Sequence, residues 1–227
     1  MGDQKRQRRF ARGLGAGALA AACAWSAPPA PVPGAIVWRD CGGGVSCAEV
    51  AAPLDHAASA GSEISLAVAR VPAALPAERI GVLFVNPGGP GVSAVAFLRA
   101  SLGRYTGVVR DRFDLMAVDT RGTGGSAALA CHDSLPELFA QDPDASDDAA
   151  WRALVAASRA FAEECARKHA ELLPLLGTAE SARDLDWLRA ALGEEQISYL
   201  GYSYGTALGA TYLSLFPKRV RALVLDG

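Results

Sequence analysis

"ISYLGYSYGTALGATYLSLFP", Ile197 to Pro217, decides how this chain is read. The stretch "QISYLGY" has the composition of a strand, and "TALGATYLSLF" continues as a helix that Pro217 stops. Ser203 stands between Gly201 and Gly205 at the junction. A chain that turns from strand into helix within so few residues brings those two glycines together and leaves no room for side chains. The turn forces Ser203 into a strained backbone conformation and lifts its hydroxyl above the sheet. It also aims the helix N-terminus, and the N–H of Tyr204, at any negative charge that forms beside Ser203. The bare pattern G-x-S-x-G is a modest signal. Its position between strand and helix is what gives it weight.

A second element supports it. "NPGGPG", Asn86 to Gly91, follows a buried strand and precedes a helix. A serine hydrolase with a strand–turn–helix nucleophile places its other oxyanion donor at that point. The glycines let backbone approach a reacting carbonyl, and the prolines stiffen the loop so that its donors need not reorganise. The rival readings are a phosphate cradle and an ordinary tight turn. No G-K-[ST] follows, which argues against the cradle.

Working outward, the chain alternates strands and helices. Strands are expected at Cys47 to Ala51, Glu63 to Val71, Arg79 to Asn86, Phe113 to Asp119 and in "VRALVLD". The apolar runs "RIGVLFVN" and "FDLMAVD" suit strands buried on both faces. Helices are expected over Val92 to Leu102 and Asp147 to Leu173, the latter behind an acidic flank that suits the helix dipole. In "TAESARDLDWLRAALG" the residues Ala182, Leu185, Leu188 and Leu192 share one face, with Thr178 placed to cap the start and Gly193 the end. Repeated strand, helix, strand predicts an α/β fold with a mostly parallel sheet covered on both faces and a site at the carboxyl ends of the strands. Trp187 and Tyr199 read as core. Asp119 and Arg121 in "DTRGTGGS" read as a structural pair under the site rather than as catalytic groups.

The chain has 227 residues, 51% hydrophobic and 20% charged, with a net charge of -2, which describes one sizeable core and gives no reason to expect nucleic acid. The only concentrated basic segment, "QKRQRRFAR", precedes the small apolar run "GLGAGALAAACAWSA". That order reads as an export signal over residues 1–26, followed by a proline-rich linker over 27–35 and the globular region over 36–227. The apolar run is short for a bilayer span, and Arg8 and Arg9 admit twin-arginine export. Cys23 is either a lipid-accepting cysteine, which would attach the protein to a membrane, or part of the A-x-A cleavage site "ACA".

Four cysteines then remain. Two local disulfides, Cys41 with Cys47 and Cys131 with Cys165, suit an oxidising compartment, and buried free thiols are the alternative. His56, His132 and His169 are scattered and no C-x-x-C spacing occurs, so no metal or cofactor is expected.

"NPGGPGVS", "FDLMAVDTRGTGGS", "DLDWLRAALG", "ISYLGYSYGTALGATYLSLFP" and "VRALVLDG" occur in the order seen in the secreted tripeptidyl aminopeptidase-like α/β-hydrolases of actinobacteria, relatives of the proline iminopeptidases. The resemblance covers nearly everything from Trp38 to Gly227, and "CAEVAAPLDH" looks like the family's entry strand. It implies an α/β-hydrolase fold, Ser203 as nucleophile, and the backbone amides of Tyr204 and Gly89 as the oxyanion hole. Its substrates would be peptides or small esters and amides. Nineteen arginines against three lysines suit a GC-rich genome of that group.

One departure matters. No histidine follows Ser203, and the only carboxylate after it is Asp226, a position that the family fills structurally. The resemblance therefore covers an N-terminal part of the hydrolase, with the base, the acid and the lid expected beyond it. Three functions stay open at this point: an aminopeptidase acting through an acyl-enzyme on Ser203, an esterase or other small-molecule hydrolase, and a non-catalytic surface lipoprotein. A chain ending at Asp226 and Gly227 is also expected to leave "VRALVLD" as a bare sheet edge.

Overall fold

A computed structural model describes residues 34–58, 61–145 and 147–227. The proposed export signal and Cys23 lie outside them, as does most of the proline-rich linker.

Seven strands form one sheet: β1 (Arg39–Asp40), β2 (Ser46–Pro53), β3 (Glu63–Val71), β4 (Gly81–Asn86), β5 (Phe113–Val118), β6 (Ile197–Tyr202) and β7 (Val220–Asp226). Their spatial order is β1-β2-β3-β5-β4-β6-β7. The first three strands pair antiparallel, and β3 pairs antiparallel with β5. From β5 onward every pairing is parallel. Hence β2, β4, β5, β6 and β7 run one way, and only β1 and β3 oppose them. The carboxyl ends of β4, β5 and β6 therefore lie on one side of the sheet.

The helices are α1 (Ala94–Ser101), α2 (Gly107–Arg112), α3 (Leu135–Phe139), α4 (Asp148–Lys168), α5 (Thr178–Ala191) and α6 (Tyr204–Leu215). Alternation along β4 explains why both sheet faces are covered. Val82 and Phe84 point to one face, where they join Leu185 and Leu188 of α5 and Leu208 and Tyr212 of α6. Leu83 and Val85 point to the other, where they join Ala94 and Leu98 of α1. Every residue of β4 is buried, as the unbroken apolar run implies. At roughly 1.5–3 kcal/mol for each buried Leu, Val or Phe, these two layers supply most of the folding drive. Among the described residues β7 pairs with β6 alone, and Val224 and Leu225 on it are exposed.

Several boundaries shift for local reasons. α1 starts two residues later than expected because Ser93 caps it, its hydroxyl accepting from the Ala96 N–H at 3.0 Å. The long acidic-flanked helix begins behind Asp147, whose carboxylate accepts from the N–H groups of Ala149 and Ala150 at 2.8 Å. It ends at Lys168, and the remainder of the expected span is a turn and a single 3₁₀ turn, Leu173–Leu175, that contains Pro174. The expected Thr178 cap is not made: Gly177 occupies the capping position, and no side chain caps α5. Gly193 does follow the C-terminus of α5 in the left-handed region, at φ 71°.

Between β5 and α5 the chain makes an excursion through α3 and α4, tied by the disulfide Cys131–Cys165. Glu164 of α4 accepts from the N–H groups of Ser134 and Asp133 and from Lys168, and so closes the start of α3 onto α4. The second disulfide, Cys41–Cys47, spans the glycine-rich loop before β2. Among the described residues no helix is long and apolar enough to cross a membrane.

Candidate active site

β6 delivers the chain into a single strained residue. Ser203 has φ 50° and ψ -125°, and α6 begins at the next residue. A non-glycine residue in that region costs about 1–3 kcal/mol and persists only where its surroundings over-determine it. Here they do. The Ser203 N–H donates to the Asp226 carbonyl at 2.8 Å, which ties the elbow to the end of β7. The Ser203 carbonyl accepts from the N–H of Thr206 at 2.9 Å and from its hydroxyl at 2.7 Å.

The two flanking glycines are required by close approach. A Cβ on Gly201 would lie 2.6 Å from the Gly205 carbonyl carbon, and a Cβ on Gly205 would lie 2.7 Å from the Asn86 carbonyl oxygen. Below the turn, the buried Tyr199 hydroxyl donates to the Gly205 carbonyl at 2.8 Å. Burial, reinforced by the nearby Tyr204, pushes the Tyr199 phenol well above its ordinary range, so it remains a neutral donor. Tyr199 is core, as its sequence position suggests, and it also props the elbow. Trp187 packs at the edge of the same core, with its indole N–H on the Ala51 carbonyl at 2.9 Å.

The Ser203 side of the elbow is exposed at the carboxyl end of the sheet. Against it lies the loop Asn86 to Gly91. A Cβ on Gly88 would sit 2.5 Å from the Tyr202 carbonyl oxygen and 2.9 Å from both Ser203 Cβ and the Tyr204 nitrogen. Gly88 is thus the residue whose bareness lets this loop meet the elbow, a role that the run of glycines in "NPGGPG" hints at without singling it out. Asn86 holds the near end of the loop by accepting the Gly88 N–H on Oδ1 at 2.9 Å. Gly89, at φ 109°, follows on the exposed side. Among the described residues, neither the Gly89 N–H nor the Tyr204 N–H has a protein acceptor. The positive end of the α6 dipole faces the same space.

Asp119 and Arg121 are both structural, but they do not pair with each other. The buried Asp119 carboxylate accepts from the Ser93 hydroxyl at 2.8 Å, the Val95 N–H at 3.0 Å and the Gly125 N–H at 2.9 Å. It pins the start of α1, and with it the far end of the Asn86–Gly91 loop. Arg121 turns the other way, onto Asp184 of α5 and the carbonyls of Leu54 and Leu175. Asp184 also meets His56 Nε2 at 2.7 Å. The reason for the split is that Asp119 fills its acceptor capacity with neutral donors around the loop, whereas a buried guanidinium needs a charged partner and reaches one in "DLDW". Ser126 is buried, its hydroxyl accepting the Ala67 N–H at 2.8 Å.

No histidine among the described residues hydrogen-bonds to Ser203. His56 is held by Asp184, and His169 accepts the Ala130 N–H at 2.9 Å on Nε2. The geometry presents an exposed serine on a strained turn, with the unpaired Tyr204 N–H at the next residue, the glycine loop packed against the turn through Gly88, and a helix dipole behind it. That combination suits attack on a carbonyl and stabilisation of the oxyanion that results.

Comparison with known proteins agrees with this architecture. A family model described as alpha/beta hydrolase fold matches residues 81–227. The chain is 40% identical to the tripeptidyl aminopeptidase of Streptomyces coelicolor over 204 residues, covering 84% of this chain and 37% of that protein. It is 38% identical to serine protease Hip1 of Mycobacterium tuberculosis over 192 residues, covering 82% and 36%. With carboxylesterase B of Mycobacterium tuberculosis the identity is 41% over 187 residues, covering 80% and 35%. The match thus spans little more than a third of the length of each relative. With its sheet, its elbow at Ser203 and a family model covering residues 81–227, the chain belongs to the α/β-hydrolase fold family.

Proposed function

We propose that this chain carries the nucleophile of an exported serine hydrolase of the aminopeptidase type. The observation that carries the reading is Ser203, exposed on a φ 50° turn at the start of α6 with the Asn86–Gly91 loop packed against it through Gly88. Ser203 Oγ bonds to the scissile carbonyl carbon as its proton passes to a histidine base, and Tyr204 and Gly89 donate to the oxyanion. The C–N bond then breaks, the proton goes to the leaving amine, and water hydrolyses the acyl-Ser203 ester. Among the described residues no histidine hydrogen-bonds to Ser203, so the proposal places the base and its acid partner outside these 227 residues, and the chain alone is expected to be inactive. Export rests on the basic-then-apolar order of residues 1–26, with lipidation of Cys23 as the proposed anchor.

An esterase on the same elbow is the second reading, favoured by the 41% identity to a protein named carboxylesterase B. The test is to assay the complete protein on amino-terminal tripeptide amides and on short acyl esters. Turnover of both, lost about a million-fold in Ser203→Ala, supports the first reading. Ester turnover alone supports the second, and no turnover of either rejects both.

A further inference from the structure

Tyr204 does more than contribute a backbone N–H. Its phenol shares a 2.7 Å hydrogen bond with the Thr178 hydroxyl. Thr178 is the first residue of α5, one position past the N-cap Gly177, so its hydroxyl is not placed to cap the helix. α5 has no side-chain cap, and the Thr178 hydroxyl goes to Tyr204 instead. A threonine χ1 in a helix is restricted to two main rotamers, and the bond to Tyr204 selects where that hydroxyl lies. Its backbone is fixed as well. Arg121 donates to the Leu175 carbonyl at 3.0 Å, three residues before Thr178, and forks onto Asp184, six residues after it.

The elbow is therefore held through two phenols, those of Tyr199 and Tyr204. Tyr199 fixes the Gly205 carbonyl from below, and Thr178 fixes Tyr204 through its side chain. We infer that Thr178 is a positioning residue, which orients the Tyr204 N–H toward the oxyanion. The inference rests on the hydrolase reading above. Thr178 touches no reacting atom in it; the side-chain bond restrains the peptide unit whose N–H lies next to Ser203. An oxyanion donor is effective only when aligned before charge develops, so a loosened Tyr204 costs transition-state binding while ground-state binding is spared.

The experiment uses the complete protein with Thr178→Val, Thr178→Ser, Tyr204→Phe and the double variant Thr178→Val with Tyr204→Phe. The expected result is a fall in kcat of about 3- to 10-fold for Thr178→Val and for Tyr204→Phe, the size of one hydrogen bond, with KM within about twofold. The double variant should fall no further than either single variant. Thr178→Ser should retain near wild-type kcat. Affinity for a peptide boronate, whose adduct mimics the oxyanion, should fall in proportion to kcat, which loss of stability alone would not produce. Wild-type kcat in Thr178→Val, additive losses in the double variant, or a kcat loss with unchanged boronate affinity would each overturn the inference. If Ser203→Ala abolishes turnover while Thr178→Val is neutral, only this inference fails. If Ser203→Ala leaves turnover intact, the hydrolase reading fails and takes this inference with it.

Discussion

The Arg121 guanidinium forks onto the Asp184 carboxylate, with Nε 2.8 Å from Oδ2 and Nη2 2.6 Å from Oδ1, and both side chains are buried. The pair joins the loop after β5 to α5. Two further ties, to the Leu54 carbonyl and to His56, bring in the segment after β2. Arg121→Met should destabilise the domain by about 2–4 kcal/mol, because it leaves the buried Asp184 carboxylate with His56 as its one remaining side-chain partner. Arg121→Lys should recover little of this, since an ammonium cannot reproduce the fork. Chemical denaturation of the three proteins at neutral pH measures the differences.

Gly88→Ala should damage both the fold and the site. The added methyl would lie 2.5 Å from the Tyr202 carbonyl oxygen, on a residue whose φ is already 94°. The expected cost is about 2–4 kcal/mol. Reactivity of Ser203 should fall by about 100-fold, since the loop and the elbow can no longer meet. Gly91→Ala is the control. Its φ is 101° but its Cβ would point into open space, so it should cost about 1–2 kcal/mol and leave Ser203 reactive.

These cases show what was legible in the sequence. Six of the seven sheet strands, the elbow and the core face of α5 follow from local patterns, because periodicity and glycine placement report burial directly, whereas the two exposed residues of β1 carry no such pattern. Ala182, Leu185 and Leu188 are all buried as their spacing requires. What local pattern does not encode is which polar group meets which across the chain. Asp119 and Arg121 sit two residues apart and invite pairing, yet Arg121 pairs with a residue 63 positions away. Thr178 reads as a cap, yet its hydroxyl crosses 26 positions to Tyr204. The short helices α2 and α3 also escape notice, since six and five residues are too few for a helical period to stand out.

The α3–α4 excursion should loosen in acid before the sheet does. The Lys168 ammonium, with the Ser134 hydroxyl, holds the Glu164 carboxyl down to about 2. A carboxyl lowered on folding stabilises the folded state fully above its unfolded pKa of roughly 4.3, and that contribution is lost as pH falls through the folded value. Amide exchange in α4 should therefore speed up relative to the sheet between about pH 4.5 and 2. Glu164→Gln should flatten this pH dependence. Equal exchange profiles in the two proteins would remove the assignment.

The two disulfides should differ in worth. Cys131–Cys165 closes a separation of 34 residues and Cys41–Cys47 one of 6. On the chain-entropy model these correspond to about 4 and about 2 kcal/mol. Replacing each pair by alanines and comparing denaturation midpoints should reproduce that order.

The central claim is that Ser203 is an activated nucleophile, and a fluorophosphonate probe tests it most directly. The complete protein is treated with the probe, digested, and its adducts are located by mass spectrometry. The expected result is a single modified peptide containing Ser203, with labelling abolished in Ser203→Ala. Labelling that persists in the alanine variant, or that falls on another residue, would contradict it.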